Sequence, residues 1–365
     1  NSAFNLNSPI CAFSFPISDV ANFFAHYDVL TRRPGGNRFD PKDYYFLQSA
    51  SSLPGLTNPG LKPERTVDYE LGFNQILNER KNAALKISAF YREMRDMLTQ
   101  KQIVSAFPRS YITYVNQDFG TTKGLSVEFD FRRTGGSRIN ANYTLQFAEG
   151  TGSSQDAGAN LASSGQPNLR VTQPLSYDQR HSFVFTYDYR FGADKDYKGP
   201  KMKRKKGGND IQLLQDVGFN LQCLIGSGTP YTRWSYAVAQ QSGQRANIIG
   251  SINGSYKPWN FRANLRIDKN VQLTWGKKDS DTKKKANLNI YLQILNLLNT
   301  RNVASVYAFT GNPDDDGYLN SPLALSTVQS LNSPQGFQDQ YSIFMNNPSN
   351  YNRPRVIRIG LQLDF

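Results

Sequence analysis

The chain has 365 residues, enough for two or three ordinary domains or for one large β-barrel. Its mean hydropathy of -0.56, with no run approaching the roughly 20 apolar residues of a spanning helix, excludes a helical membrane protein. The net charge is +13 although only 19% of residues are charged, so it has to be traced to positions before it argues for a nucleic-acid groove.

The 20 Tyr, 23 Phe, 28 Gly and 18 Pro point to β structure with frequent turns. Cys11 and Cys223 are too few for a disulfide framework. The opening residues NSAFNLNSPI lack the basic and apolar segments of a secretion signal, which predicts either a cytosolic chain or a missing beginning.

Alternation with a period of two predicts about eleven strands in chain order. The first two lie around Ala12 to Ile17 and Ala21 to Val29. In the third, Val67, Tyr69, Leu71 and Phe73 alternate with Asp68, Glu70, Gly72 and Asn74; in the fourth, Leu85, Ile87, Ala89 and Tyr91 form the apolar phase. Leu125 to Phe131 and Ile139 to Phe147 flank Gly135 and Gly136 as a patterned hairpin. Further strands are predicted around Phe183 to Phe191, Val217 to Ile225, Phe261 to Trp275 and Leu288 to Ile294. In the last, Ile357, Ile359, Leu361, Leu363 and Phe365 alternate with Arg358, Gly360, Gln362 and Asp364.

Connection lengths separate a barrel from a sandwich. Tight turns are predicted after the first, third and fifth strands, and long stretches near residues 31–63, 99–118, 150–178, 227–258 and 312–352. The alternation is strict until the seventh strand; the connections after the seventh and ninth strands, 192–215 and 276–285, fall on the short-turn side but are long and moderate in length. Long loops on one rim and short turns on the other are the pattern of an antiparallel transmembrane β-barrel with long extracellular loops and periplasmic turns. An odd strand count beginning on the long-loop side predicts that the chain is the C-terminal portion, residues 1–365, of one larger barrel whose N-terminal strands are absent. Trp259 and Trp275 are sixteen residues apart on one face, about 53 Å of strand and about 40 Å of height at a typical tilt. The apolar band is about 25 Å tall, so one end of that strand should stand clear of the membrane. Tyr187, Tyr189 and Phe191 suit the periplasmic aromatic girdle.

Several segments resemble one family. Asn58-Pro-Gly-Leu-Lys-Pro-Glu-Arg-Thr-Val-Asp-Tyr-Glu-Leu-Gly-Phe73 is similar to the loop and strand that read "NP-LKPE" and "YE-G" in TonB-dependent outer-membrane receptors. Ile294-Leu-Asn-Leu-Leu-Asn-Thr-Arg-Asn302 resembles their "N-L-N" segment, and Phe365 their terminal aromatic, which is read by the barrel-assembly machinery. Tyr114-Val-Asn116 and Gly124-Leu-Ser-Val-Glu128 add to the set. The turn from Thr310 to Tyr318 resembles receptors of Bacteroidetes-like bacteria with an upstream carboxypeptidase-regulatory-like domain. The resemblance implies a twenty-two-strand barrel around a plug, with import of scarce or large substrates driven by the TonB complex. Plug and TonB box are not among these residues. The implied partners are TonB through the plug, the assembly machinery through the last strand, the lipid bilayer and a surface lipoprotein.

The candidate lumen-facing residues are Asp68, Glu70, Glu128, Asp130, Arg266, Asp268 and Arg358, all on the polar phase, where they would touch a plug or substrate or simply be solvated. Asp314, Asp315 and Asp316 lack the spaced ligand set and distal bidentate carboxylate of a calcium loop, so no metal or other cofactor is expected. Lys195, Lys198, Lys201, Lys203, Arg204, Lys205 and Lys206, and a second run at Lys277, Lys278, Lys283, Lys284 and Lys285, fall on the short-turn side. They read as solvated turns, or as attraction to anionic headgroups or a periplasmic partner, and not as a nucleic-acid groove. His26 and His181 have no ligand spacing, and neither G-x-S-x-G nor a phosphate loop occurs, so an enzyme is not expected. Cys223 shares the apolar phase with Leu221 and Ile225. The expected function is TonB-dependent transport across the outer membrane; the alternative is a non-importing barrel in envelope assembly, secretion or adhesion.

Overall fold

A computed structural model describes residues 9–35, 57–103, 111–155, 170–193, 197–202, 211–235, 248–275 and 284–364. Eleven strands follow the predicted alternation: β1 (Ile10–Ser18), β2 (Ala21–Arg32), β3 (Glu64–Ile76), β4 (Ala83–Ile103), β5 (Tyr111–Thr134) and β6 (Ser137–Gly150). They continue as β7 (His181–Arg190), β8 (Val217–Gly226), β9 (Asn260–Trp275), β10 (Lys284–Leu295) and β11 (Val356–Asp364). Each strand hydrogen-bonds to the one before and after it in sequence, always antiparallel. Among the described residues β1 and β11 each have a single strand partner.

The register shows why the phase is so clear. Directly opposed residues point to the same face of a sheet. Phe23, Phe73, Ile87, Val127, Tyr143, Phe183, Ile225 and Phe261 are opposed in turn across β2 to β9, a continuous apolar row. One residue along, Gly72, Ser88, Ser126, Thr144, Ser182 and Gly226 are opposed across β3 to β8, a row of small and polar residues on the other face. Exposed apolar side chains such as Leu71, Ile290, Ile359 and Leu361 lie on the first face, as a lipid-facing surface requires.

At the short-turn rim β5 passes to β6 through Gly135 and Gly136, both at positive φ (60° and 94°), the backbone of a tight hairpin turn. At the other rim the strands are taller than predicted. The stretch 99–118, expected as a loop, is mostly strand: β4 and β5 pair as far as Ile103 and Tyr111. The register slips between Met94 and Leu98, where Asp96 has φ 55°, and such a bulge bends the pair and re-aims it. Above the bulge Leu98, Thr99, Gln100 and Thr113 are all buried. Both faces are therefore covered there, and alternation disappears.

The last long connection, expected as a loop over 312–352, carries α1 (Pro322–Gln329) and α2 (Pro334–Met345). Ser321 caps α1 by accepting from the Ala324 amide, and Pro follows the cap residue in both helices, where its missing N–H costs nothing. The helices close a small core of Tyr318, Ala324, Val328, Tyr341 and Met345, with Tyr307, Leu319 and Phe337 against it.

Candidate functional site: the inner wall and its upper rim

The polar phase builds a wall of opposed charges. Arg92 donates from Nε to Asp68 at 3.0 Å, and Lys86 reaches Glu70 at 3.4 Å. Arg133 pairs with Asp188. On the opposite flank Arg190 reaches Asp268 at 2.7 Å, whose Oδ2 also accepts from Asn289 at 3.1 Å. Asp68 and Asp268 are thus each held by a cation one or two strands away. Glu128 lies directly across from Lys86, and Asp130 across from Ala84; neither makes an ion pair among the described residues. Arg266 covers the Tyr291 ring at 4.3 Å, and Arg358 lies opposite Gln293 on β11. All seven candidate residues share the polar phase of the sheet, but they lie on β3, β5, β9 and β11 and do not converge on one point. Half-exposed pairs such as Asp68 with Arg92 contribute about 0 to 1 kcal/mol each, so they shape the wall more than they stabilise it.

Three aromatics on this face lie over glycines. Phe24 is opposed to Gly72, Phe90 to Gly124 and Tyr291 to Gly360, and a Cβ at each glycine would overlap the facing ring. A cation lies near two of them, Lys86 at 4.8 Å from the Phe24 centroid and Arg266 at Tyr291, so the rings are held from both sides. Sequence reasoning marked Gly72 and Gly360 as polar-phase positions without seeing this use.

At the upper rim the recurring Asn residues act as backbone staples. Asn58 donates to the Tyr114 carbonyl at 2.9 Å. Asn116 accepts from the Lys62 amide at 2.7 Å and donates to the carbonyls of Lys62 and Asp96, both at 2.8 Å. Glu64 accepts from the Leu98 amide at 3.0 Å. The segment Asn58 to Glu64 is thereby fixed to the β4–β5 bulge, and two motifs some fifty residues apart become one clamp. A second clamp ends β10. Asn296 and Asn299 take positive φ (54° and 53°), and Asn296 bonds both the amide and carbonyl of Thr300 at 3.0 Å. Asn302 accepts from the Phe261 amide at 2.9 Å and donates to its carbonyl at 2.7 Å. Its side-chain amide thus serves as one more ladder partner for the start of β9.

With this wall and these clamps in place, comparison with known proteins is decisive. The family described as "TonB dependent receptor-like, beta-barrel" matches residues 13–297, most of the strands. The chain belongs to this family. No curated protein sequence matches it. Among solved structures, this receptor-family barrel is similar to the pyoverdine outer membrane receptor FpvA from Pseudomonas aeruginosa PAO1 bound to pyoverdine, with TM-score 0.53 and 10% identity over 98% of this chain and 36% of that one. The FpvAI–pyocin S2 complex gives TM-score 0.53 and 11% identity, covering 98% and 33%. These likenesses show the fold, and the chain spans about a third of the length of the structures it matches. The family match stops before Thr310 to Tyr318, so the finer likeness of that turn rests on sequence alone.

Other predicted positions of the receptor barrel resolve as follows. The three adjacent aspartates are spent within their own loop. Asp314 accepts from the Tyr351 hydroxyl at 2.5 Å, Asp315 from the Gly317 amide at 2.7 Å and Asp316 from the Tyr341 hydroxyl at 2.5 Å. Burial, then the hydrogen bond to Asp316, pushes the Tyr341 phenol far above its ordinary value. Burial lowers the pKa of Lys257, which donates to the Ala304 carbonyl at 2.9 Å. His181 stacks on Trp259 at 5.4 Å and bonds the Tyr143 hydroxyl at 2.9 Å, on the apolar phase. Tyr189, Phe191 and Phe219 cluster with centroids 4.8 Å and 6.0 Å apart at the opposite, short-turn end. Cys223 is opposed to Phe185 and Ala263. Phe365 and Lys195, Lys203 to Lys206, Lys277, Lys278 and Lys283 lie outside the described residues, as do the side chains of Trp275, Lys284 and Lys285.

Proposed function

We propose that this chain supplies the C-terminal part of the wall of an outer-membrane transporter that imports a scarce or large substrate by TonB-dependent active transport. The observation that carries this reading is the contrast between the faces: a continuous apolar row outside and a paired-charge, glycine-bearing wall inside, in a receptor-barrel family. In this reading β1 and β11 continue into further strands of a twenty-two-strand barrel, a plug fills the lumen and TonB acts on the plug. The last strand and Phe365 engage the assembly machinery, a surface lipoprotein is a further candidate partner, and the chain has no catalytic role.

The test compares growth on a panel of limiting nutrients for a strain lacking this protein, a strain lacking TonB and the double mutant. A shared deficit on one nutrient, no worse in the double mutant, is expected. Deficits that add, or none at all, would favour the non-importing barrel. Orientation is read separately: a maleimide should label Gln335→Cys on α2 in intact cells and Lys201→Cys only after the outer membrane is opened.

A further inference from the structure

The polar face of β9, β10 and β11 carries cations that its own acids do not neutralise. Among the described residues of that face, Arg262, Arg266 and Arg358 stand against Asp268 and Asp364. Asp268 is already taken by Arg190 and Asn289. Asp364 accepts from Gln362 and lies about 20 Å along β11 from Arg358.

Two of these arginines share a row. Arg266 on β9 is opposed to Gln293 on β10, and Gln293 to Arg358 on β11, so the three side chains leave the sheet on one face. The outer two are two strand spacings apart, about 10 Å, within reach of a single group held over Gln293. Among the described residues the side chains of Gln293 and Arg358 make no hydrogen bond or ion pair, and Arg358 is exposed. Arg266 is held from one side: its guanidinium lies over the Tyr291 ring at 4.3 Å, and that ring lies over Gly360. Its Nη2 donates to Asn289 at 3.5 Å, a long bond that leaves the other guanidinium donors unused. Like charges in one row repel, and an acceptor laid across the row removes that repulsion while satisfying donors from all three side chains.

We propose that Arg266, Gln293 and Arg358 form an oxyanion-binding site on the wall, which takes a carboxylate or phosphate group in the forks of the two arginines. The inference rests on the proposed function for the polar face being the lumen, and deepens it: the group belongs to the imported substrate or to an acidic side chain of the segment that fills the lumen.

The native protein, purified in a non-ionic detergent, is treated with the arginine reagent phenylglyoxal, and the rates at Arg266, Arg358 and Arg80 are followed by peptide mass spectrometry. Arg80, exposed in the turn between β3 and β4, is the reference. If the group comes from the substrate, millimolar citrate or inorganic phosphate should slow Arg266 and Arg358 about tenfold relative to Arg80, the factor that about 1.4 kcal/mol of charge-assisted hydrogen bonding implies. If it comes from the protein itself, both arginines should start about tenfold slower than Arg80 and be released by high salt, which screens an exposed pair. In either case the effect at Arg266 should shrink in Arg358→Gln, where one fork faces the anion alone. Rates at Arg266 and Arg358 that respond to neither anion nor salt, equal slowing of Arg80, or an undiminished effect at Arg266 in Arg358→Gln would overturn the site. The readout needs neither TonB nor growth, so the site and the transport function fail separately.

Discussion

Single residues explain the segments that gave the family away. The side chains of Asn58 and Asn116 bond to backbone at the irregular β4–β5 extension, and those of Asn296 and Asn302 to backbone beside the ends of β10 and β9. A buried backbone group left without a partner costs about 1 to 3 kcal/mol. Asn302→Ala removes both bonds to Phe261, so a loss of about 1 to 3 kcal/mol is expected, with faster proteolysis between residues 303 and 355 as the readout. Gly72→Ala places a methyl group where the Phe24 ring lies and should cost about 1 to 3 kcal/mol by overpacking. Gly72→Ala combined with Phe24→Ala should recover part of that loss in the same thermal unfolding assay; no recovery would mean that the ring is not the obstacle.

At the scale of elements, the outward phase of β11 predicts different outcomes for adjacent substitutions. Leu361→Arg should destabilise by about 2 to 4 kcal/mol if the residue sits near the midplane, with Gln362→Arg much milder; equal urea midpoints would contradict the assigned faces. The α1–α2 unit predicts a pH response. Tyr341 must stay protonated to donate to Asp316, and its pKa is raised on folding. The stabilisation is therefore complete below the ordinary tyrosine value near 10 and is lost as pH climbs from there toward the folded value. Tyr341→Phe should remove that alkaline dependence, read as tyrosine absorbance during titration.

Strands were legible because one face is apolar and the other wet, which writes a period of two into the sequence. The β4–β5 extension was not, since Leu98, Thr99, Gln100 and Thr113 are buried on both faces. The two helices were missed although Ser321-Pro322 and Ser333-Pro334 announce their starts. The inner charges were legible as a phase, but their partners Arg92 and Arg190 become visible only through the register.

For the whole molecule, the decisive question is what lies against β1 and β11. An unpaired strand edge in lipid leaves amides unsatisfied at several kcal/mol each, which a bilayer does not tolerate. In native outer membranes, amides of β1 and β11 are expected to exchange as slowly as those of β3. Fast exchange at both edges would rule out a continuous wall.

The rings of Phe24, Phe90 and Tyr291 have one more effect. An aromatic side chain standing upright on the inner face would project about 6 Å from the wall, whereas one lying over a glycine adds about the thickness of a ring. By omitting a side chain on one strand, the sequence lets its neighbour recline. Part of the polar face is therefore lined by rings lying flat over glycines, and its depth at those points is set by residues that carry no side chain.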